Sequence, residues 1–270
     1  MPNFNYKTAK LFLSALAVFI LVAAAFPFSA FAQKNRETTR AKADLKTRVL
    51  IVPLDDRPAT TQFGEMIGRI GNAEVILPPR ALLGTFITAG DSERIAQWLR
   101  EYDFSNIDAV ILSADMLAFG GFMTSRISAT PLDLAHRRLE VIRELKRRNP
   151  RLPIYAFNVV RRVALSAFAA NRAHRAQIAR WAVLADETIQ KPNDAKLKEE
   201  FERLKREIPA REIEDYLAVR RRNLQVNYAM LDLAKIGVVD KLLLLQDDAH
   251  PFGLHRRDQK SLRERIAKLG

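Results

Sequence analysis

The sequence predicts an α/β fold: a mostly parallel sheet flanked by helices, interrupted by a helical insertion. Two observations carry this. First, five short apolar runs, each too short for a typical helix, fall at 48–54, 73–77, 109–114, 153–160 and 241–245, with helical patterns between them. Such β-rich runs between helices read as buried parallel strands. Second, three of these runs end in acidic residues, at Asp55-Asp56, at Asp115 and at Asp247-Asp248. In open parallel sheets, ligands sit outside the carboxyl ends of the strands. Strand–helix alternation alone does not separate an open sheet from an incomplete (β/α) barrel, which is the alternative.

The elements follow in order. The first strand covers Arg48 to Leu54, and Thr60 to Ile70 suits a helix stopped by Gly71-Asn72. Ala73 to Leu77 is a second strand, closed by Pro78-Pro79. Asp91 is placed to cap a helix running through Tyr102, with Glu93 in its first turn. Ala109 to Ala114 is the third strand, followed by a loop with Gly120-Gly121. Pro131 fits the first turn of a long helix to about Arg148, and Pro153 to Val160 is the fourth strand. From 161 to 235 no segment reads as a strand. Leu197, Phe201, Leu204 and Ile208 share one helix face, and Pro209 ends that helix. Ile213, Leu217, Leu224, Tyr228 and Leu231 continue the helical period. This stretch reads as a helical insertion, a candidate cap over the rim. Lys241 to Leu245 is the fifth strand, and a last helix begins near Asp258. The chain stops at Gly270, one helix after an acid-tipped strand, which suggests a C-terminally truncated domain over 48–270.

The N-terminus reads as a targeting segment. Lys7 and Lys10 precede an apolar run from Leu11 to Phe28, and Ala30-Phe31-Ala32 has the form of a signal-peptidase site. Residues 1–32 are thus expected to be a cleaved signal peptide and 33–47 a flexible linker. The length of the apolar run leaves an uncleaved membrane anchor as the alternative. Either way the body of the protein is expected outside the cytoplasm, periplasmic or extracellular. No membrane span is expected after cleavage.

The chain has no cysteine, which excludes disulfides and thiolate chemistry. Its formal charge is +13, and the predicted signal removes only two lysines. A basic surface favours anionic partners. For an exported protein these are envelope polymers, glycans among them, or lipid headgroups rather than nucleic acid. Much of the charge lies in mixed runs such as Lys196-Leu197-Lys198-Glu199-Glu200, which also suit plain solvated helix faces.

The candidate catalytic residues are Asp55, Asp56, Asp115, Asp247 and Asp248. Paired carboxylates near a cation can divide acid and base roles, or hold Mg²⁺ or Ca²⁺ through oxygen ligands. An Asp ahead of a Pro, as at Asp56 to Pro58, also suits a strand-end turn. Arg57, Arg126 and Asn158 are candidate substrate-binding groups, with Asn158 on the same rim as the acids. Arg220, Asn223 and Asn227 share one face of a helix and could hydrogen-bond a sugar, carboxylate or phosphate. Gln246 ends the fifth strand beside the acids and joins them. No GxSxG elbow, Walker loop or helical zinc spacing is present. The function expected from this pattern is an exported hydrolase of a glycan or other envelope polymer, or, as the alternative, a non-catalytic envelope protein holding an anionic ligand.

The same strings resemble a bacterial family filed as domain of unknown function 4127. The resemblance rests on Pro53-Leu54-Asp55-Asp56-Arg57-Pro58, Leu77-Pro78-Pro79-Arg80, Asp115 through Gly121 with Ser125-Arg126, Tyr155 through Val159, Arg222-Asn223 with Asn227, and Gln246-Asp247-Asp248-Ala249. It departs at Phe119, where a tyrosine is expected, and at the basic Arg161-Arg162. It implies a longer protein and brings no catalytic assignment.

Overall fold

The structure is a computed structural model that describes residues 47–85, 87–127, 130–166, 172–247 and 250–269. The predicted signal peptide, all but the last residue of the predicted linker, and Asp248 lie outside the described residues. Five strands, β1 (Thr47–Val52), β2 (Ala73–Ile76), β3 (Ala109–Ser113), β4 (Ile154–Val160) and β5 (Lys241–Gln246), form one sheet in the order β2-β1-β3-β4-β5. Every pairing is parallel. A (β/α) barrel places its strands in sequential order, whereas here β1 lies between β2 and β3. The barrel alternative is therefore set aside: this is the doubly wound order, with its switch point between β1 and β3.

Eight α-helices are described: α1 (Gln62–Ile70), α2 (Ser92–Glu101), α3 (Ala114–Phe119), α4 (Leu132–Arg148), α5 (Arg175–Gln190), α6 (Ala195–Glu207), α7 (Ala210–Lys235) and α8 (Leu254–Leu269). Asp91 caps α2 as its sequence position predicts, accepting from Arg94 N at 3.0 Å. Pro131 stands at the cap of α4, one residue before the first turn expected for it. The region between β4 and β5 is helical, with α5, α6 and α7 in place of further strands. No helix among the described residues is long and apolar enough to cross a membrane.

The two faces of the sheet differ. Leu50, Val52, Val110, Leu112, Ile154 and Ala156 are fully buried on one face. They share a core with Ile95 and Leu99 of α2, Leu139 and Ile142 of α4, and Val226 and Met230 of α7. Burying aliphatic side chains of this size contributes about 1.5–3 kcal/mol each, so this face dominates stability. The opposite face carries Val49, Ile51, Ile111, Tyr155 and Phe157, all only partly buried. On the edge strand, Leu243 and Leu245 are 46% and 41% exposed. Phe157 pairs with Leu243 and Val159 with Leu245 in register. Helix α1 buries none of its residues, and its stripe of Phe63, Met66, Ile67 and Ile70 faces solvent. It approaches β2 through Gly68, where an added Cβ would lie 2.5 Å from the Val75 side chain.

Candidate functional site

The carboxyl ends of β1, β3, β4 and β5 bring the predicted residues together, but in a pattern the sequence does not show. Arginines stand among the carboxylates there, and most of the described carboxylates already have partners.

After β1 the chain turns tightly at Asp55, which is 5% exposed. Asp55 Oδ1 accepts from Arg57 N at 3.2 Å and from Thr60 Oγ1 at 2.9 Å. Its Oδ2 accepts from Arg57 Nε at 2.9 Å and from a terminal guanidinium nitrogen at 2.6 Å. All four bonds are local, so Asp55 shapes the strand-end turn and aims Arg57. That pairing holds the Arg57 guanidinium above its usual value, with Asp56 and Asp247 adding to the field. Asp56 differs: its Oδ1 is buried with no hydrogen-bond partner.

Asp115 does not simply end β3. Ser113 caps a short helix, α3, by accepting from Met116 N at 3.2 Å, and Asp115 lies in its first turn. Gly120 ends that helix at φ 76°, a left-handed conformation suited to glycine, and an added Cβ would lie 2.5 Å from Gly90 O. A strand-to-glycine-loop reading missed α3 because six residues are too few to show a helical period. The result is deep burial: Asp115 is 1% exposed. Its Oδ2 accepts from Asn158 Nδ2 and from Val159 N, both at 2.9 Å. Burial nonetheless dominates and pushes the carboxyl up to about 6. Asn158 in turn accepts from Asn227 Nδ2 of α7. Asn227, Asn158 and Asp115 thus form one buried relay tying α7 to the rim.

Arg126 follows in a 3₁₀ turn, Thr124–Arg126, and is 5% exposed. Its guanidinium carbon lies 3.9 Å from the centroid of the Phe122 ring, and that of Arg57 lies 5.7 Å from the same centroid. Arg126 donates to Asp247 Oδ2 from the end of β5. Arg162 Nε stands 3.8 Å from the same oxygen. Burial lowers Arg126 to about 10, which leaves it charged at neutral pH. Cation–π stacking of this kind is worth about 2 kcal/mol or more when desolvated. Phe122, Arg57, Arg126, Arg162 and Asp247 therefore make one cluster drawn from four strand ends.

The remaining predicted residues hydrogen-bond groups of the protein itself. Arg220 donates to Arg161 O at 2.8 Å and Arg162 O at 3.0 Å, and pairs with Asp258 at 2.8 Å. Asn223 donates to Ser125 O at 2.9 Å. Arg222 donates to Ser125 O, Ile127 O and Thr130 O at 2.6, 3.0 and 2.9 Å, with its guanidinium carbon 4.4 Å from the Phe119 centroid. Helix α7 thereby holds the backbone that carries Arg126 and Arg162. Gln246 departs from the expectation: it is exposed and accepts from Gln259 of α8 at 2.7 Å, because the last residue of this edge strand turns toward that helix. The residues missed are Phe122, Arg162 and Arg222. The basic Arg161-Arg162 pair directly after β4 was the available signal.

No group of three or more acidic or histidine side chains among the described residues is arranged to hold a metal ion. Asp55 and Asp247 each face a guanidinium.

A family model described as "Protein of unknown function (DUF4127)" matches residues 49–270. The chain belongs to this family. The match begins inside β1 and runs through α8, so the rim described here lies wholly within the DUF4127 region. No curated protein and no solved structure matches the chain.

Proposed function

We propose that this DUF4127 domain binds an anionic ligand at its strand-end rim, through Arg57, Arg126 and Arg162 around Phe122. The observation that carries this reading is Arg126: a nearly buried guanidinium, stacked on an aromatic ring, beside two further arginines at the sheet's switch-point side. Buried arginine clusters give planar, charge-assisted recognition of carboxylate or phosphate. The N-terminal apolar run and its Ala30-Phe31-Ala32 site support action outside the cytoplasm, on an anionic or glycan envelope polymer. Binding of the full chain to polygalacturonate, polyphosphate and neutral dextran at graded salt tests the reading. The expected result is binding to a polyanion that weakens with salt and is lost in Arg126→Gln. Equal binding by that variant would assign the affinity to the general basic surface and sink the proposal.

Hydrolysis is the second reading, favoured by two observations. Asp115, near 6, would donate a proton at mildly acidic pH, and Asp56, whose Oδ1 has no hydrogen-bond partner, would act as base. Release of reducing ends from polygalacturonate, absent in Asp115→Asn and Asp56→Asn, would favour it over binding alone.

A further inference from the structure

We propose that Asp247 is an internal stand-in for the ligand: its carboxylate fills the subsite that a carboxylate group of the bound polymer takes over. This rests on the anion-binding reading above and adds the ligand's chemical class and the residue that tunes its affinity.

The argument begins with position. Asp247 is the first residue after edge strand β5, and its side chain reaches Arg126, 121 residues away in sequence. The contact is not a turn-forming bond like those of Asp55. It crosses from one strand end to another and places a carboxylate between two guanidinium groups, those of Arg126 and Arg162. The two partners differ in exposure. Arg126 is held by Phe122 and is 4% exposed at its side chain, whereas Asp247 is 22% exposed there. The cation is thus the more enclosed partner and the carboxylate the one that solvent reaches. The group that Arg126 and Arg162 already meet is a carboxylate, so a ligand carboxylate is the like-for-like replacement.

A site filled by its own side chain binds an outside ligand only in the fraction of molecules where that side chain has left. The apparent dissociation constant is the intrinsic one divided by this fraction. Neutralising Asp247 therefore tightens binding of a carboxylate ligand. A catalytic or substrate-holding Asp247 gives the opposite sign.

Calorimetric titration of the full chain with trigalacturonate, and separately with inorganic phosphate, reads this out. Asp247→Asn is expected to bind trigalacturonate about tenfold or more tightly than the unmodified chain, the scale of one charge-assisted hydrogen bond. Arg126→Gln is expected to bind neither probe. Unchanged or weaker trigalacturonate binding in Asp247→Asn overturns the stand-in but leaves the anion-binding reading intact. Binding of phosphate without trigalacturonate overturns the carboxylate class. Failure of the unmodified chain and the variant to bind any anion overturns both readings. Should Asp247→Asn not fold, the unmodified chain still decides. The Arg126 side-chain NMR resonance, identified by its loss in Arg126→Gln, is expected to shift on adding trigalacturonate. A resonance that stays fixed while ligand binds elsewhere overturns the proposal.

Discussion

Replacing Asp115 with Asn tests the electrostatics of the rim most quantitatively. Asp115 is buried and its carboxyl is pushed from an ordinary 3.8 up to about 6. The folded state therefore holds the proton more tightly than the unfolded chain. Stability from this group is full below the unfolded value and is lost as pH rises through the folded one, between about 4 and 6. The whole shift corresponds to about 3 kcal/mol, and the change between pH 4.5 and 7.5 to about 2 kcal/mol. Asn keeps one oxygen to accept from Asn158 and Val159, the two bonds that Oδ2 now receives. It removes the buried charge. Asp115→Asn is thus expected to be more stable than the unmodified chain at pH 7.5, with the difference shrinking by about 2 kcal/mol at pH 4.5. Urea unfolding followed by tryptophan fluorescence at the two pH values measures it. Asp258 is raised in the same direction, so only the difference between the two proteins isolates Asp115. A difference that does not change with pH, or a variant less stable at pH 7.5, would refute the reasoning.

Other expectations follow from single contacts. Asn227→Ala leaves Asn158 Oδ1 without its donor, which should cost about 1–3 kcal/mol in the same urea assay; a neutral result would mean that the relay contributes nothing. Gly120→Ala forces a side chain into a left-handed turn and against Gly90 O, so a loss of at least about 1–2 kcal/mol is expected. Wild-type thermal stability in that variant would contradict the turn geometry. The exposed edge leucines should drive self-association. Leu243→Lys with Leu245→Lys should lower concentration-dependent light scattering without changing unfolding, and unchanged scattering would exonerate this edge.

Much of the fold was legible because strands and helices announce themselves through apolar period. The five strands fall within one or two residues of their sequence-predicted bounds at most ends, and Asp91 caps its helix as expected. Strand order was not legible, since register and neighbours depend on packing between distant segments. Helix α8 begins at Leu254 rather than near Asp258, because its first turn is anchored by buried Leu254 and His255 and not by an acidic cap. At the site, strand-end position found Asp55, Asp115, Asn158 and Asp247. It did not show their partners, on which a carboxylate's role depends. Asp55 is consumed by Arg57 two residues on, which a local reading could anticipate. Asp247 pairs with Arg126 across 121 positions, which no local pattern encodes. The scaffold role of Arg222 also comes only from three-dimensional contact with the 125–130 backbone.

The central claim is that the arginines around Phe122 form an anion site. A crystal structure of the chain grown with trigalacturonate tests it most directly. The account predicts a ligand carboxylate in hydrogen-bond contact with Arg126, beside Phe122 and Arg162, with Asp247 swung away. Ligand ordered elsewhere on the protein, with Asp247 still on Arg126, would contradict it.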